Sequence, residues 1–125
     1  MFNNAYRGKT ILITGHTGFK GTWLTAWLLK LGANICGVSN TIPTRPSMFE
    51  ELKLERKIDH KICDIRNLED VRSIVHDLKP DFVFHLAAQA IVSDSYDDPI
   101  GTISTNVIGT ANILESLRGL ENDCT

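Results

Sequence analysis

The chain reads as an α/β domain, a parallel sheet with helices wound over both faces. Three observations predict this. Short apolar runs alternate with longer stretches of helical periodicity, the rhythm of strand–helix–strand units. The links between them are short, which makes successive strands parallel and the crossovers right-handed. Between the first strand and the first helix stand three glycines at a spacing of three, Gly15, Gly18 and Gly21.

Each element has its own local reason. Thr10 to Thr14 is a buried apolar run and gives a first strand over about 9–14. A helix over about 19–31 follows, with Phe19, Trp23, Leu24, Trp27, Leu28 and Leu31 expected on its buried face. Gly32 ends it, as a glycine just past a C-terminus does. Asn34 to Ser39 forms the second strand, and Pro43 and Pro46 hold 40–46 as a loop. Ser47 with Glu50 fits a capping box and starts a short helix over about 48–54. The third strand covers about 59–64. Asn67 caps the next helix, whose Leu68, Val71, Ile74, Val75 and Leu78 recur at helical spacing, and Pro80 marks its end. Asp81 to Leu86 is apolar apart from Asp81 and His85, as in a strand covered on both faces. With four strands in the order 3-2-1-4 it is also a sheet edge. Ser93 to Asp98 reads as a polar loop. Pro99 then takes the first position of the last helix behind Asp98. Ile100, Ile103, Val107, Ile108, Ala111, Leu114 and Leu117 form one stripe expected to face the core.

Bulk properties exclude several classes. The 125 residues make one domain at most, and 42% hydrophobic content is enough for a core. The net charge of −2 and the scattered 13 basic residues carry no nucleic-acid footprint. No apolar stretch reaches the roughly 18 residues that span a bilayer. The N-terminus lacks the long apolar segment of a secretory leader, so a cytoplasmic protein is expected, with neither nucleic acid nor membrane as partner. Cys36, Cys63 and Cys124 are too far apart in sequence for metal-ligand spacing, and no metal site is expected. Cys36 and Cys63 are read as small core residues, reduced in the cytosol.

The glycine turn carries the chemistry. Gly15 permits the tight turn, Gly18 lets phosphates approach the backbone, and Gly21 lets helix and strand pack closely. The helix start adds about half a positive charge, which favours an anion. A strand order of 3-2-1-4 puts the switch point between strands one and four, where open α/β sheets bind ligands beyond their C-terminal strand ends. The His85–Gln89 stretch falls at the same place. The architecture is therefore a Rossmann-type doubly wound parallel sheet. Backbone N–H groups near Phe19 and Lys20 meet the pyrophosphate, while Lys20 either adds a charge or stays solvated. Thr17 and His16, at the loop tip, are within reach of phosphate or ribose. The acidic ribose anchor that usually ends the second strand is absent, since no Asp or Glu lies between Thr22 and Phe49. Ser39 or Asn40 can bond a ribose hydroxyl without repelling a 2′-phosphate. Arg45 leaves NADP open beside NAD.

Thr14-Gly15-x-x-Gly18-x-x-Gly21 resembles the extended short-chain dehydrogenase/reductase family. So do Asp64-Ile-Arg66 after the third strand, His85-Leu-Ala-Ala-Gln89 after the fourth, and Thr105-Asn-Val-x-Gly-Thr110 in the last helix. These matches occur in order and cover nearly the whole chain. Lys20 and Trp23 narrow the resemblance to the branch of sugar-nucleotide 4,6-dehydratases, since most relatives carry an apolar residue at position 20. The resemblance implies NAD as cofactor. It also implies a sugar nucleotide as substrate, CDP-glucose for this branch, and a homo-oligomeric parent enzyme. It gives Asp64 the adenine amino group and Ile65 the ring face. Leu86, Ala87 and Ala88 line the nicotinamide side, and Asn106 shapes the active site. Gln89 and Ser95 face the substrate, although Ser93 and Asp94 stand where similar dehydratases carry basic residues.

The family's Tyr-x-x-x-Lys pair, in which the lysine lowers the pKa of a proton-accepting tyrosine, is not in this sequence. Tyr6 and Tyr96 are followed four residues later by Thr10 and Ile100. Residues 1–125 are thus expected to be the N-terminal dinucleotide-binding half. The C-terminal catalytic and substrate part is expected to lie outside these residues, and the chain alone is expected to be inactive. The alternatives are another sugar-nucleotide epimerase or reductase of the family, or a stand-alone or inactive dinucleotide-binding fragment.

Overall fold

A computed structural model describes residues 1–125. Its elements run β1 (Thr10–Thr14), α1 (Phe19–Lys30), β2 (Asn34–Ser39), α2 (Met48–Glu51), a 3-10 turn (Leu54–Arg56) and β3 (Asp59–Ile62). There follow α3 (Leu68–Leu78), β4 (Phe82–His85), α4 (Val92–Asp97), α5 (Pro99–Ile103), a π turn (Ser104–Ile108) and α6 (Gly109–Leu117). All four strands are parallel and lie in the order β3-β2-β1-β4. Ile11 stands opposite Ile35 on one side and Phe82 on the other, and Thr14 opposite Val38 and His85.

Strand alternation sends the side chains to two cores. Ile11, Ile13 and Ile35 meet Leu28 of α1 on one face. Leu12, Cys36 and Val38 meet Val71 and Val75 of α3 and Ile113 of α6 on the other. The sheet is therefore doubly wound, as the sequence predicts. Cys36 and Cys63 are buried free thiols. The predicted caps form as well. Ser47 accepts from the Glu50 N–H, Asn67 from Asp70, and Asp98 from Gly101.

Four expectations need correction. The buried side of α1 carries Gly21, Thr22, Thr25 and Leu28, while Phe19, Trp23 and Trp27 are exposed. The reason is contact distance: α1 starts so close to β1 that only small residues fit beneath it. Thr22 and Thr25 satisfy their hydroxyls by donating to the carbonyls of His16 and Gly21. The apolar stripe of the last helix faces outward. Ile100, Ile103, Val107, Ile108 and Leu114 are exposed, and the inward side of α6 is Gly109, Asn112, Ile113 and Ser116. Ser93 to Asp98, expected as loop, falls largely within α4 (Val92–Asp97). Finally, β4 is only half-buried, and its outer edge carries a short pairing. Val83 N–H donates to Thr125 O, and Thr125 N–H to Asp81 O.

Two glycines of the turn differ in what they tolerate. A Cβ on Gly21 would lie 2.1 Å from the carbonyl oxygen of Gly15, whereas one on Gly18 meets that oxygen at an ordinary 3.4 Å. Gly21→Ala is expected to destabilise the fold by about 1–3 kcal/mol, the usual cost of overpacking a close contact. Gly18→Ala clashes with nothing and is expected to cost only about 0.5–1 kcal/mol, the loss of a glycine preferred over alanine at a helix N-cap. Urea midpoints of the two variants check both figures.

Candidate functional site

The C-terminal ends of the four strands open onto a single cleft of about 750 Å³. Its rim is the loop between β1 and α1. Gly15 turns the chain at φ +75°, a conformation that favours glycine. Its position is also occupied from behind, since a Cβ there would lie 2.7 Å from the backbone nitrogen of Ala87. The loop thus rests directly on the segment that leaves β4. Gly18 caps α1, whose first N–H groups lack intrahelical partners and point out of its start. No packing within the chain demands a glycine at position 18, where the missing side chain leaves the backbone open to the cleft. That is the cradle an anionic diphosphate needs.

The other walls come from the remaining strand ends. Ser39 and Asn40 close β2, Cys63, Asp64 and Ile65 follow β3, and Leu86 to Ile91 follow β4. Thirteen predicted residues line this one cleft: Gly15, Thr17, Gly18, Phe19, Lys20, Gly21, Ser39, Asp64, Ile65, Leu86, Ala87, Ala88 and Gln89. The sequence reading missed Thr41, Pro43, Cys63, Ile91 and Thr105 as wall residues. They sit on loops and a helix turn whose path periodicity does not reveal. For Thr41 a signal existed in the threonine at the loop tip: the Thr17 hydroxyl donates to Thr41 O at 2.7 Å and ties the two loops together.

Two predicted residues do not line the cleft. Ser95 is turned back into α4, where its hydroxyl donates to Val92 O at 2.6 Å. Asn106 sits in the π turn and grips a wall residue instead. Its Oδ1 accepts from Gln89 N–H at 2.8 Å, and its Nδ2 donates to Gln89 O at 3.0 Å. The Gln89 side chain is also held, accepting from Ile91 N–H and donating to Ile91 O and Thr102. Such π turns recur at functional sites.

His16 departs most from expectation. It does not face phosphate or ribose but is fully buried, with its ring against Gly37, where a Cβ would lie 2.5 Å from ring carbons. Nδ1 pairs with the Ser39 hydroxyl at 3.1 Å and Nε2 with His60 Nδ1 at 2.7 Å, while Phe49 meets the ring edge-on. Ser39, the expected ribose contact, is therefore already bound from below.

The charges around the cleft are few. Lys20 is exposed at the rim and makes no ion pair. Asp64 accepts from both the backbone N–H and the guanidinium of Arg66. That guanidinium holds its carboxyl below the usual range. Asp94 also lines the cleft.

Burial lowers the His16 pKa from 6.5 to about 4, with His60 adding to the effect and a backbone bond at Val38 opposing it. A folded-state pKa below the unfolded value means that the stability is complete above pH 6.5 and is lost as the pH falls toward 4. Thermal melts between pH 7 and pH 5 are expected to show a falling Tm. A Tm flat over that interval contradicts the buried neutral imidazole.

A parallel 3-2-1-4 sheet with a glycine cradle at its switch point defines a dinucleotide-binding α/β protein. A sequence profile of the GDP-mannose 4,6 dehydratase family matches residues 12–125. The chain belongs to that family, within the extended short-chain dehydrogenases/reductases that its motifs resemble. It is 45% identical over 119 residues to CDP-glucose 4,6-dehydratase of Salmonella typhimurium, covering 95% of this chain and 33% of that protein. It is 33% identical over 107 residues to UDP-glucose 4-epimerase of Mycolicibacterium smegmatis, covering 86% of this chain and 34% of that one. Among solved structures, an epimerase of Methanothermobacter thermautotrophicus superposes with a TM-score of 0.81 at 31% identity, over 94% of this chain and 34% of that one. The UDP-glucose 4-epimerase of Thermus thermophilus, solved with NAD, superposes with a TM-score of 0.77 at 30% identity, over 90% of this chain and 35% of that one. The chain spans about a third of the length of these relatives.

Proposed function

We propose that residues 1–125 form the NAD-binding N-terminal part of a sugar-nucleotide 4,6-dehydratase, with CDP-glucose as the sugar nucleotide. The observation that carries the reading is the open backbone at Gly18, placed on the cleft where the strand ends converge. The 45% identity to the Salmonella CDP-glucose enzyme supports the substrate. The NAD in the Thermus epimerase, a structural neighbour, supports the cofactor. No helix of the chain is long and apolar enough to cross a membrane. Reduced Cys36, Cys63 and Cys124 suit a cytoplasmic enzyme.

The residues divide the work. The loop from Gly15 to Gly21 receives the diphosphate. Ser39 offers its oxygen to the ribose. Asp64 and Ile65 take the adenine, and Leu86 to Ala88 bound the ring end. NAD held here would supply the hydride acceptor and donor for the sugar. Binding and orienting that cofactor is the role of this part. The Tyr-x-x-x-Lys pair that the family resemblance implies is not among these 125 residues, so the chain alone is expected to be inactive. The outward apolar stripe of Ile100, Ile103, Val107 and Leu114 supports a homo-oligomeric enzyme.

Two measurements test this. Calorimetry is expected to show NAD binding by the chain and a loss of at least about tenfold, 1.4 kcal/mol, in Gly18→Val, whose side chain fills the cradle. Equal affinity in the variant removes the loop from the site. Residues 1–125 placed in the Salmonella enzyme instead of its corresponding third are expected to form the 4-keto-6-deoxy product from CDP-glucose. A folded, NAD-loaded chimera without that product argues against the dehydratase reading.

A further inference from the structure

Neither the cofactor reading nor the family motifs explain the contacts of His85. The ring lies at the end of β4, half-buried between β1 and α6. Its Nδ1 is 2.6 Å from the Thr14 hydroxyl and its Nε2 is 2.9 Å from the Thr110 hydroxyl. The surrounding bonds fix the direction of every proton. Thr110 donates its hydroxyl to Asn106 O at 2.7 Å, so its oxygen accepts from His85 Nε2–H. Nδ1 therefore carries the lone pair and accepts from the Thr14 hydroxyl. The Thr14 oxygen in turn accepts from the N–H groups of Leu86 and Ala87, each at 3.1 Å. A hydroxyl offers one donor and two acceptor sites, and all three are used at Thr14.

This run does not stop at Thr110. It enters the π turn at the carbonyl of Asn106, the residue whose amide holds both backbone groups of Gln89. The wall from Leu86 to Gln89 is thus held at its start by Thr14 and at its end by Asn106. The side chains of His85 and Thr110 together join the two anchors. The groups bonded to the ring, Thr14 from β1 and Thr110 from α6, are uncharged. Burial alone lowers its pKa and keeps the imidazole neutral.

We propose that His85 is a positioning residue. Through one continuous run of hydrogen bonds from Thr14 to Asn106, it sets the place of the cleft wall Leu86–Gln89, against which the ring end of the cofactor lies. The wiring stands on the hydrogen bonds, and its consequence for the cofactor rests on the reading above.

The test separates the two. In the 125-residue chain, Thr110→Val removes the hydroxyl with little change of shape, Thr110→Ser keeps it, and His85→Phe removes both ring bonds. Amide hydrogen exchange is followed at Gln89, two hydrogen bonds removed from Thr110 and three from His85, and at Ile11 to Ile13 as a control for the intact sheet. NADH affinity is read by fluorescence titration. Exchange at Gln89 is expected to rise about tenfold in Thr110→Val and His85→Phe, the effect of about 1.4 kcal/mol. The β1 amides stay protected, NADH binds more weakly, and Thr110→Ser restores both properties. Unchanged exchange at Gln89 in both Thr110→Val and His85→Phe overturns the wiring. Faster exchange at Gln89 with unchanged NADH affinity overturns the wall's role in positioning the cofactor. A wild-type chain that binds no NADH overturns the cofactor reading itself, whatever the exchange rates.

Discussion

The structure depends on how closely the start of α1 lies on the end of β1. A Cβ at Gly21 would lie 2.1 Å from Gly15 O and one at Gly15 2.7 Å from Ala87 N, so helix, turn and β4 exit meet backbone to backbone. No side chain separates them, and none can be added without moving an element. This contact forces small, hydrogen-bonded threonines under α1 and turns its aromatic residues outward. It also places the first N–H groups of the helix at the mouth of the cleft. The geometry that opens the start of the helix to the cleft is the same geometry that seats the glycine turn on the exit of β4.

A second layer of polar contacts turns that scaffold into a shaped cleft. Thr17 ties the glycine loop to the loop after β2, Arg66 holds the Asp64 carboxylate, and Asn112 donates to the carbonyls of Ile65 and Arg66 from below. No buried side-chain nitrogen or oxygen is left without a partner. A buried polar group without a partner is costly, so each of these bonds also fixes a loop that periodicity alone would leave free.

Strand order, helix positions and caps were legible because they rest on local signals: apolar runs, Gly32, the Ser47–Glu50 box, Asn67 and the Asp98–Pro99 start. Most of the cleft was legible too, because the glycine spacing and the motifs after β3 and β4 name its walls. The failures have a common cause. The outward turn of Trp23, Trp27, Ile103 and Leu114 and the burial of His16 depend on distances between elements, which hydrophobic period does not encode. A helix that touches its sheet through glycine and threonine hides its small residues, and a count of apolar residues then selects the wrong face. Ser95 was misplaced for a related reason, since a loop was expected where α4 forms and turns the hydroxyl inward.

The ring of His16 against Gly37 links two distant positions in the sequence. The imidazole fills the volume that a side chain on β2 would otherwise occupy, leaving no room for a Cβ at position 37. Exchanging either residue alone makes a collision or a hole, whereas changing both preserves the packing. The effect of a substitution at one site is thus conditional on the other, and a glycine loop grafted from a relative transfers faithfully only with its matching strand. For an engineer combining parts from different members, residues 16 and 37 are one unit of inheritance.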